Sequence, residues 1–155
     1  MESLPKPPGE RVLRKGRVSM PGQIYLVTTV THGRARIFDR FAAARTLIQQ
    51  LHDMDASGCT RTIAFVVMPD HLHWLMQLSG GASLSEVVRH TKGASSRKLG
   101  IQLGGGRVWQ QGFHDHAVRR DEDLKNLARY VIYNPVRAGL VSRPHDYPHW
   151  DATWL

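Results

Sequence analysis

His71 and His73 flank a single leucine within Val66-Val67-Met68-Pro69-Asp70-His71-Leu72-His73-Trp74-Leu75-Met76, an apolar run that otherwise reads as a buried hairpin. Successive side chains of a strand alternate faces. The two imidazoles therefore point the same way, roughly 7 Å apart at the backbone, a separation from which both can grip one divalent ion. Packing alone gives no reason to set two histidines side by side in a core. Asp70 is expected by the same alternation to point away from the histidine face and is given no role. A second group lies further along the chain, where Tyr130 and Asn134 are four residues apart and so stack on one flank of a helix. A phenol and an amide delivered together beside a histidine pair make a plausible active site. His114 and His116 alternate on a third stretch, and a three-histidine zinc site that draws on them is an open alternative at this point.

Regular elements must position these groups. Ile24 to Thr31 has the β-branched content of a strand, announced by the Pro21-Gly22 turn signal. Phe41 to Ser57 carries Leu47, Ile48, Leu51 and Met54 at helical spacing, with Gly58 as its stop. Thr60–Met68 and His71–Leu78 are strands around a Pro69-Asp70 turn. Ser83 caps a second helix that turns Leu84, Val87, Val88 and Thr91 inward and leaves Arg89, His90, Lys92, Arg97 and Lys98 outside. Gly104-Gly105-Gly106 breaks the pattern, Arg107 to Val118 reads as a fourth strand, and Asp121 opens a third helix. In that helix Leu124, Leu127, Ala128, Val131 and Ile132 form one apolar stripe, Tyr133 falls opposite it towards solvent, and Pro135 ends the helix after Asn134. Strand, helix, strand, strand, helix, strand is the order of the α+β ferredoxin-like split βαβ fold, an antiparallel sheet with both helices on one face. The histidine pair is expected on the other face, under the third helix.

The chain has 155 residues, with 21 Lys and Arg against 13 Asp and Glu, a formal charge of +8 and a sequence pI near 10.3. That balance makes a polyanion the first partner to consider, with nucleic acid ahead of a membrane surface, since no segment pairs a basic face with a broad apolar one. The segment 1–20 reads as a basic, Pro-rich arm and 21–155 as one domain, long enough to bury about two thirds of its unfolded surface. Single Cys59 excludes an internal disulfide and an all-cysteine zinc site. No apolar run approaches the roughly 20 residues of a bilayer span, and Met1 to Gly16 has no signal-like apolar core, so a cytoplasmic, nucleoid-associated location is expected. Arg14, Lys15, Arg17, Arg119, Arg120 and Arg137 are candidate phosphate contacts, whereas Trp74, Trp109 and Tyr25 are core residues by default.

Four blocks in order carry a family resemblance: Gly16-Arg17-Val18-Ser19-Met20-Pro21-Gly22 with Tyr25; Val67-Met68-Pro69-Asp70-His71-Leu72-His73; Trp109-Gln110-Gln111-Gly112-Phe113-His114-Asp115-His116; and Tyr130-Val131-Ile132-Tyr133-Asn134-Pro135-Val136-Arg137-Ala138-Gly139-Leu140-Val141. On these residues the chain resembles the bacterial REP-associated tyrosine transposases, within the HUH single-strand DNA nucleases. The resemblance implies cutting and rejoining of single-stranded DNA next to imperfect palindromic hairpins. It implies a Mg²⁺ or Mn²⁺ ion held by His71, His73 and Asn134, and Tyr130 as nucleophile, acting in a monomer or a homodimer. Asp70 departs from the Asn often found there. His114 and His116 are read, in this light, as DNA-contacting or structural.

The residue types suit that chemistry. A covalent phosphotyrosine conserves the bond energy needed for rejoining, and a cation on the scissile phosphate helps a nucleophile whose ordinary pKa is about 10. Two rival classes stay open. A non-catalytic single-strand nucleic-acid-binding module explains charge and fold but not the convergence of His71, His73 and Asn134. A zinc-dependent hydrolase explains the histidines but gives Tyr130 no role and lacks a placed general-base carboxylate.

Overall fold

The computed structural model describes residues 20–153. The basic arm, with Arg14, Lys15 and Arg17, lies outside the described residues apart from Met20. Strands β1 (Ile24–Val30), β2 (Thr60–Met68), β3 (His71–Leu78), β4 (His114–Ala117) and β5 (Trp150–Ala152) form one antiparallel sheet in the order β4-β1-β3-β2-β5. The first four strands follow the ferredoxin-like order. The fifth pairs with the free edge of β2 through Val66 and Trp150.

Helices α1 (Phe41–Ala56) and α2 (Leu84–Leu103) cover one face. Leu47, Ile48, Leu51 and Met54 of α1 are buried against Tyr25, Val27, Phe65, Val67, Leu72, Trp74 and Met76, the residues that alternation sends to that side. Each fully buried Leu or Met contributes about 1.5–3 kcal/mol. Ser83 and Glu86 close a reciprocal capping box at the start of α2, and Gly104, at φ +79°, ends it. Trp74 and Trp109 are buried here, their indole N–H groups donating to Thr62 Oγ1 at 2.9 Å and Ser95 Oγ at 3.0 Å. Tyr25 is buried with them.

Helix α3 (Leu124–Ile132) covers the opposite face. Its Ala128 and Val131 meet Leu26, Ile63, Ala64, Val66, Met68 and Leu75, and Leu124 and Leu127 close the edge of this second, smaller core.

Four boundaries differ from the sequence reading. β4 is only four residues long, because Gly112 takes φ +83° and Lys92 donates its ammonium to the carbonyls of Gln110 and Gly112, both at 2.7 Å. Lys92 is thus a loop clasp, not a solvated charge. The third helix starts at Leu124, with Asp123 accepting from the Asn126 N–H as its cap, while Glu122 is drawn off to the Arg119 N–H. Pro135 does not stop the helical path. It breaks the hydrogen-bond ladder, and the chain resumes as a single turn, α4 (Asn134–Arg137), with Pro135 in its first positions, where no N–H is required. β5 had no counterpart in the sequence reading. It is tied down by Tyr147, whose hydroxyl donates to Val67 O at 2.6 Å and whose pKa burial pushes up to about 12. The backbone N–H of Val67 also donates to His149 O at 2.8 Å.

Candidate active site

His71 and His73 sit at the start of β3, opposite Met68 and Val66 of β2 and opposite Val30 and Thr28 of β1. Alternation sends Leu72 and Trp74 to the α1/α2 core and the histidines to the α3 face. That is the arrangement expected from His-x-His spacing. The two rings stand edge to face with centroids 5.0 Å apart, and both residues are buried.

Both rings are held through Nδ1. His71 Nδ1 donates to Asp70 Oδ1 at 2.7 Å, and His73 Nδ1 lies 2.9 Å from Thr28 Oγ1. Asp70 thus faces the histidine pair, contrary to the expectation from strand alternation. Alternation applies inside a strand, but Asp70 occupies the turn, where the chain reverses and its carboxylate swings back to the neighbouring imidazole. Burial holds His71 below the ordinary imidazole pKa against the opposing pull of Asp70. Burial holds His73 well below it, with smaller contributions from His71 and from Arg137. Both rings are thus neutral at neutral pH, the form a metal ligand needs.

The α3–α4 segment packs on β2 and β3 over this face. Asn134, at its bend, is fully buried, and among the described residues neither amide atom finds a hydrogen-bond partner; nor does His71 Nε2. Leaving buried polar atoms unpaired costs about 1–3 kcal/mol each. Two imidazole nitrogens are neutral donors of the kind divalent transition ions accept, and an amide oxygen is a donor that Mn²⁺ and Mg²⁺ also take. Tyr130 is half-buried one turn before Asn134, and Arg137 holds it from outside, its guanidinium 4.0 Å over the ring and its Nη2 donating to the Tyr130 carbonyl at 2.6 Å. Tyr133 is 45% exposed on the far side, as its helical position predicts.

The other candidates are dispersed. His114 stands opposite Thr28 and His116 opposite Leu26, so both share the face of the histidine pair but two strands away, across β1. His116 Nε2 is bound to both carboxylate oxygens of Glu122 at 2.9 Å. Among the described residues no three His, Cys, Asp or Glu side chains gather into a metal-holding group, so the three-histidine zinc site does not form. Arg119 and Arg120 are exposed beside a cavity of about 400 Å³ at the end of the sheet, floored by Met20, Pro21, Ile24 and Leu124. Arg119 is ion-paired with Asp121 at 3.4 Å. Thr28 is a site residue that the sequence does not single out. Nothing local marks Thr28, which gains its place only from the β1–β3 register.

A five-stranded antiparallel sheet with two helices on one face and a third across the other is the fold of a transposase, and residues 20–134 match the family described as Transposase IS200 like, so the chain belongs to that family. It is 31% identical over 86 residues to the REP-associated tyrosine transposase of Escherichia coli K12, covering 55% of this chain and 50% of that protein. It is 30% identical over 70 residues to the ISDra2 transposase TnpA of Deinococcus radiodurans, covering 41% and 50%. The matches thus span about half the length of these curated relatives. A REP-associated tyrosine transposase solved bound to a REP hairpin shares the fold with a TM-score of 0.71 at 24% identity, over 86% of this chain and 79% of that one. Among the described residues no helix is long and apolar enough to cross a membrane.

Proposed function

We propose that this chain is a metal-dependent single-strand DNA endonuclease and strand transferase that works next to palindromic hairpins through a covalent phosphotyrosine on Tyr130. The observation that carries the reading is the buried, unpartnered donor set of His71 Nε2 and the Asn134 amide, placed on the sheet face that α3 covers with Tyr130 one turn away. A binding module has no use for such atoms and would be more stable without them.

Tyr130 Oη attacks the scissile phosphorus. A P–O bond to the phenolic oxygen forms, the bond to one deoxyribose oxygen breaks, the phenolic proton leaves to solvent, and the departing oxygen takes up a proton. Rejoining runs the same exchange in reverse with an incoming sugar hydroxyl. His71, His73 and Asn134 would hold the divalent ion, which when bound polarises the phosphate and steadies its developing charge. Arg137, stacked on the nucleophile, supplies fixed positive charge beside the phosphate. An extended single strand brings one backbone to this face, whereas a duplex would bring a second to the same place. Arg119 and Arg120, with the arm residues Arg14, Lys15 and Arg17, would hold the hairpin through its phosphates. That binding should weaken steeply as salt rises.

The test is a hairpin with a single-stranded flank, compared with the same sequence fully paired to its complement, both in Mn²⁺. A denaturing gel should show cleavage and a protein–DNA adduct with the first alone. Equal cleavage of the two removes the single-strand reading, and cleavage without any adduct favours a hydrolase.

A further inference from the structure

The two histidines are held in unlike ways. His73 Nδ1 faces a hydroxyl, which can either give or take a proton. His71 Nδ1 faces a carboxylate, an acceptor only, so the 2.7 Å contact requires the proton of the neutral ring to sit on Nδ1. The lone pair must then be on Nε2, the buried atom for which no donor is present among the described residues. The backbone of the Pro69-Asp70 turn is itself held. The Asp70 carbonyl accepts from the Thr31 N–H at 3.0 Å and the Thr31 hydroxyl at 3.1 Å, and the Pro69 carbonyl accepts from the Phe38 N–H at 3.0 Å. Arg34 Nε lies 3.8 Å from Oδ2 as an ion pair, while Oδ1 faces the imidazole. Arg34 reaches there from a left-handed backbone conformation, φ +57°, just after Gly33 at φ +63°. A non-glycine residue adopts that conformation at a cost.

We propose that Asp70 is a positioning residue, whose carboxylate holds the His71 ring as the Nδ1–H tautomer and so presents the Nε2 lone pair on the α3 side of the sheet. This rests on the reading of His71 as a metal ligand. A carboxylate behind a ligating imidazole orients the ring and raises its basicity, and losing such a partner typically weakens metal affinity by about 10–100-fold. An amide at position 70 would offer the ring either a carbonyl or an NH₂ and would dictate neither tautomer.

The experiment reads the imidazole nitrogens of the full chain in EDTA by long-range ¹H–¹⁵N correlation, with His71→Gln assigning the His71 signals. Wild type should show the Nδ1–H pattern for His71, Asp70→Ala should move it to the Nε2–H form or a mixture, and Asp70→Asn should fall between. Mn²⁺ titration followed by EPR of the free ion should then show affinity falling about 10–100-fold in Asp70→Ala and less in Asp70→Asn. Asp70→Asn, being isosteric, carries the test alone if Asp70→Ala does not fold. A wild-type His71 found as the Nε2–H tautomer, or a pattern unchanged by both substitutions, overturns the proposal. The expected tautomer shift with no Mn²⁺ binding by wild type would support the positioning role and sink the metal reading instead.

Discussion

On the α1/α2 side of the sheet, Phe65, Val67, Leu72, Trp74 and Met76 interlock with helix residues into a continuous apolar core, and the two buried indoles there have hydrogen-bond partners. On the α3 side the same strands contribute Ala64, Val66, Met68 and Leu75, but the apolar surface is interrupted by His71, His73 and Thr28 and covered at one end by Asn134. The first face gains stability from every residue. The second surrenders some, since buried polar atoms without partners lower stability unless something else fills their bonding capacity. One strand, β3, serves both. Leu72 packs into the larger core while its two neighbours, His71 and His73, face the candidate site, because a strand turns alternate residues to opposite sides.

This contrast breaks most decisively at Tyr130, the proposed nucleophile. Tyr130→Phe should abolish the covalent adduct with labelled single-stranded DNA on a denaturing gel, whereas Tyr133→Phe, altered at an exposed ring, should keep it. An adduct from Tyr130→Phe would mean that α3 does not deliver the reacting oxygen. Next in size is the histidine pair. His71→Ala or His73→Ala should eliminate cleavage while hairpin affinity by gel shift stays within about tenfold, since phosphate contacts carry the binding, and EDTA should act like either substitution. Full cleavage in EDTA would take the ion out of the mechanism.

The opposite face should respond in the other currency. Leu72→Ala should lower unfolding free energy by about 2–5 kcal/mol in urea titration, with the adduct still forming at temperatures where the protein stays folded. A smaller effect comes from acid. In EDTA His71 and His73 are both below the ordinary imidazole value when folded, so the unfolded chain binds more protons as pH falls below about 6.5. Stability should therefore be full above that pH and decline below it until the folded-state values are passed. The decline should persist in Leu72→Ala. A flat urea midpoint between pH 8 and 5 would show that the α3 face does not bury neutral histidines.

Much of this was legible in the chain. The two hairpin strands, both long helices and the capping box follow from local pattern, since period two, period 3.6 and Ser83 with Glu86 each act within a few residues. His-x-His on a strand likewise carries its geometry in its spacing, and Tyr130 comes one turn before Asn134 because the helical path continues past Ile132 into α4. Other features required the fold. Gly112 and the Lys92 clasp shorten β4 across a separation of 20 residues, and β5 joins the sheet only because the β2 edge is open to it. Thr28 comes to lie behind His73 through strand register, from 45 residues away. Asp70 comes to lie behind His71 through the sense in which a two-residue turn folds back. Periodicity determines which way a side chain points within an element. What it meets there is decided by partners brought in from elsewhere, and only the packed sheet sets that register.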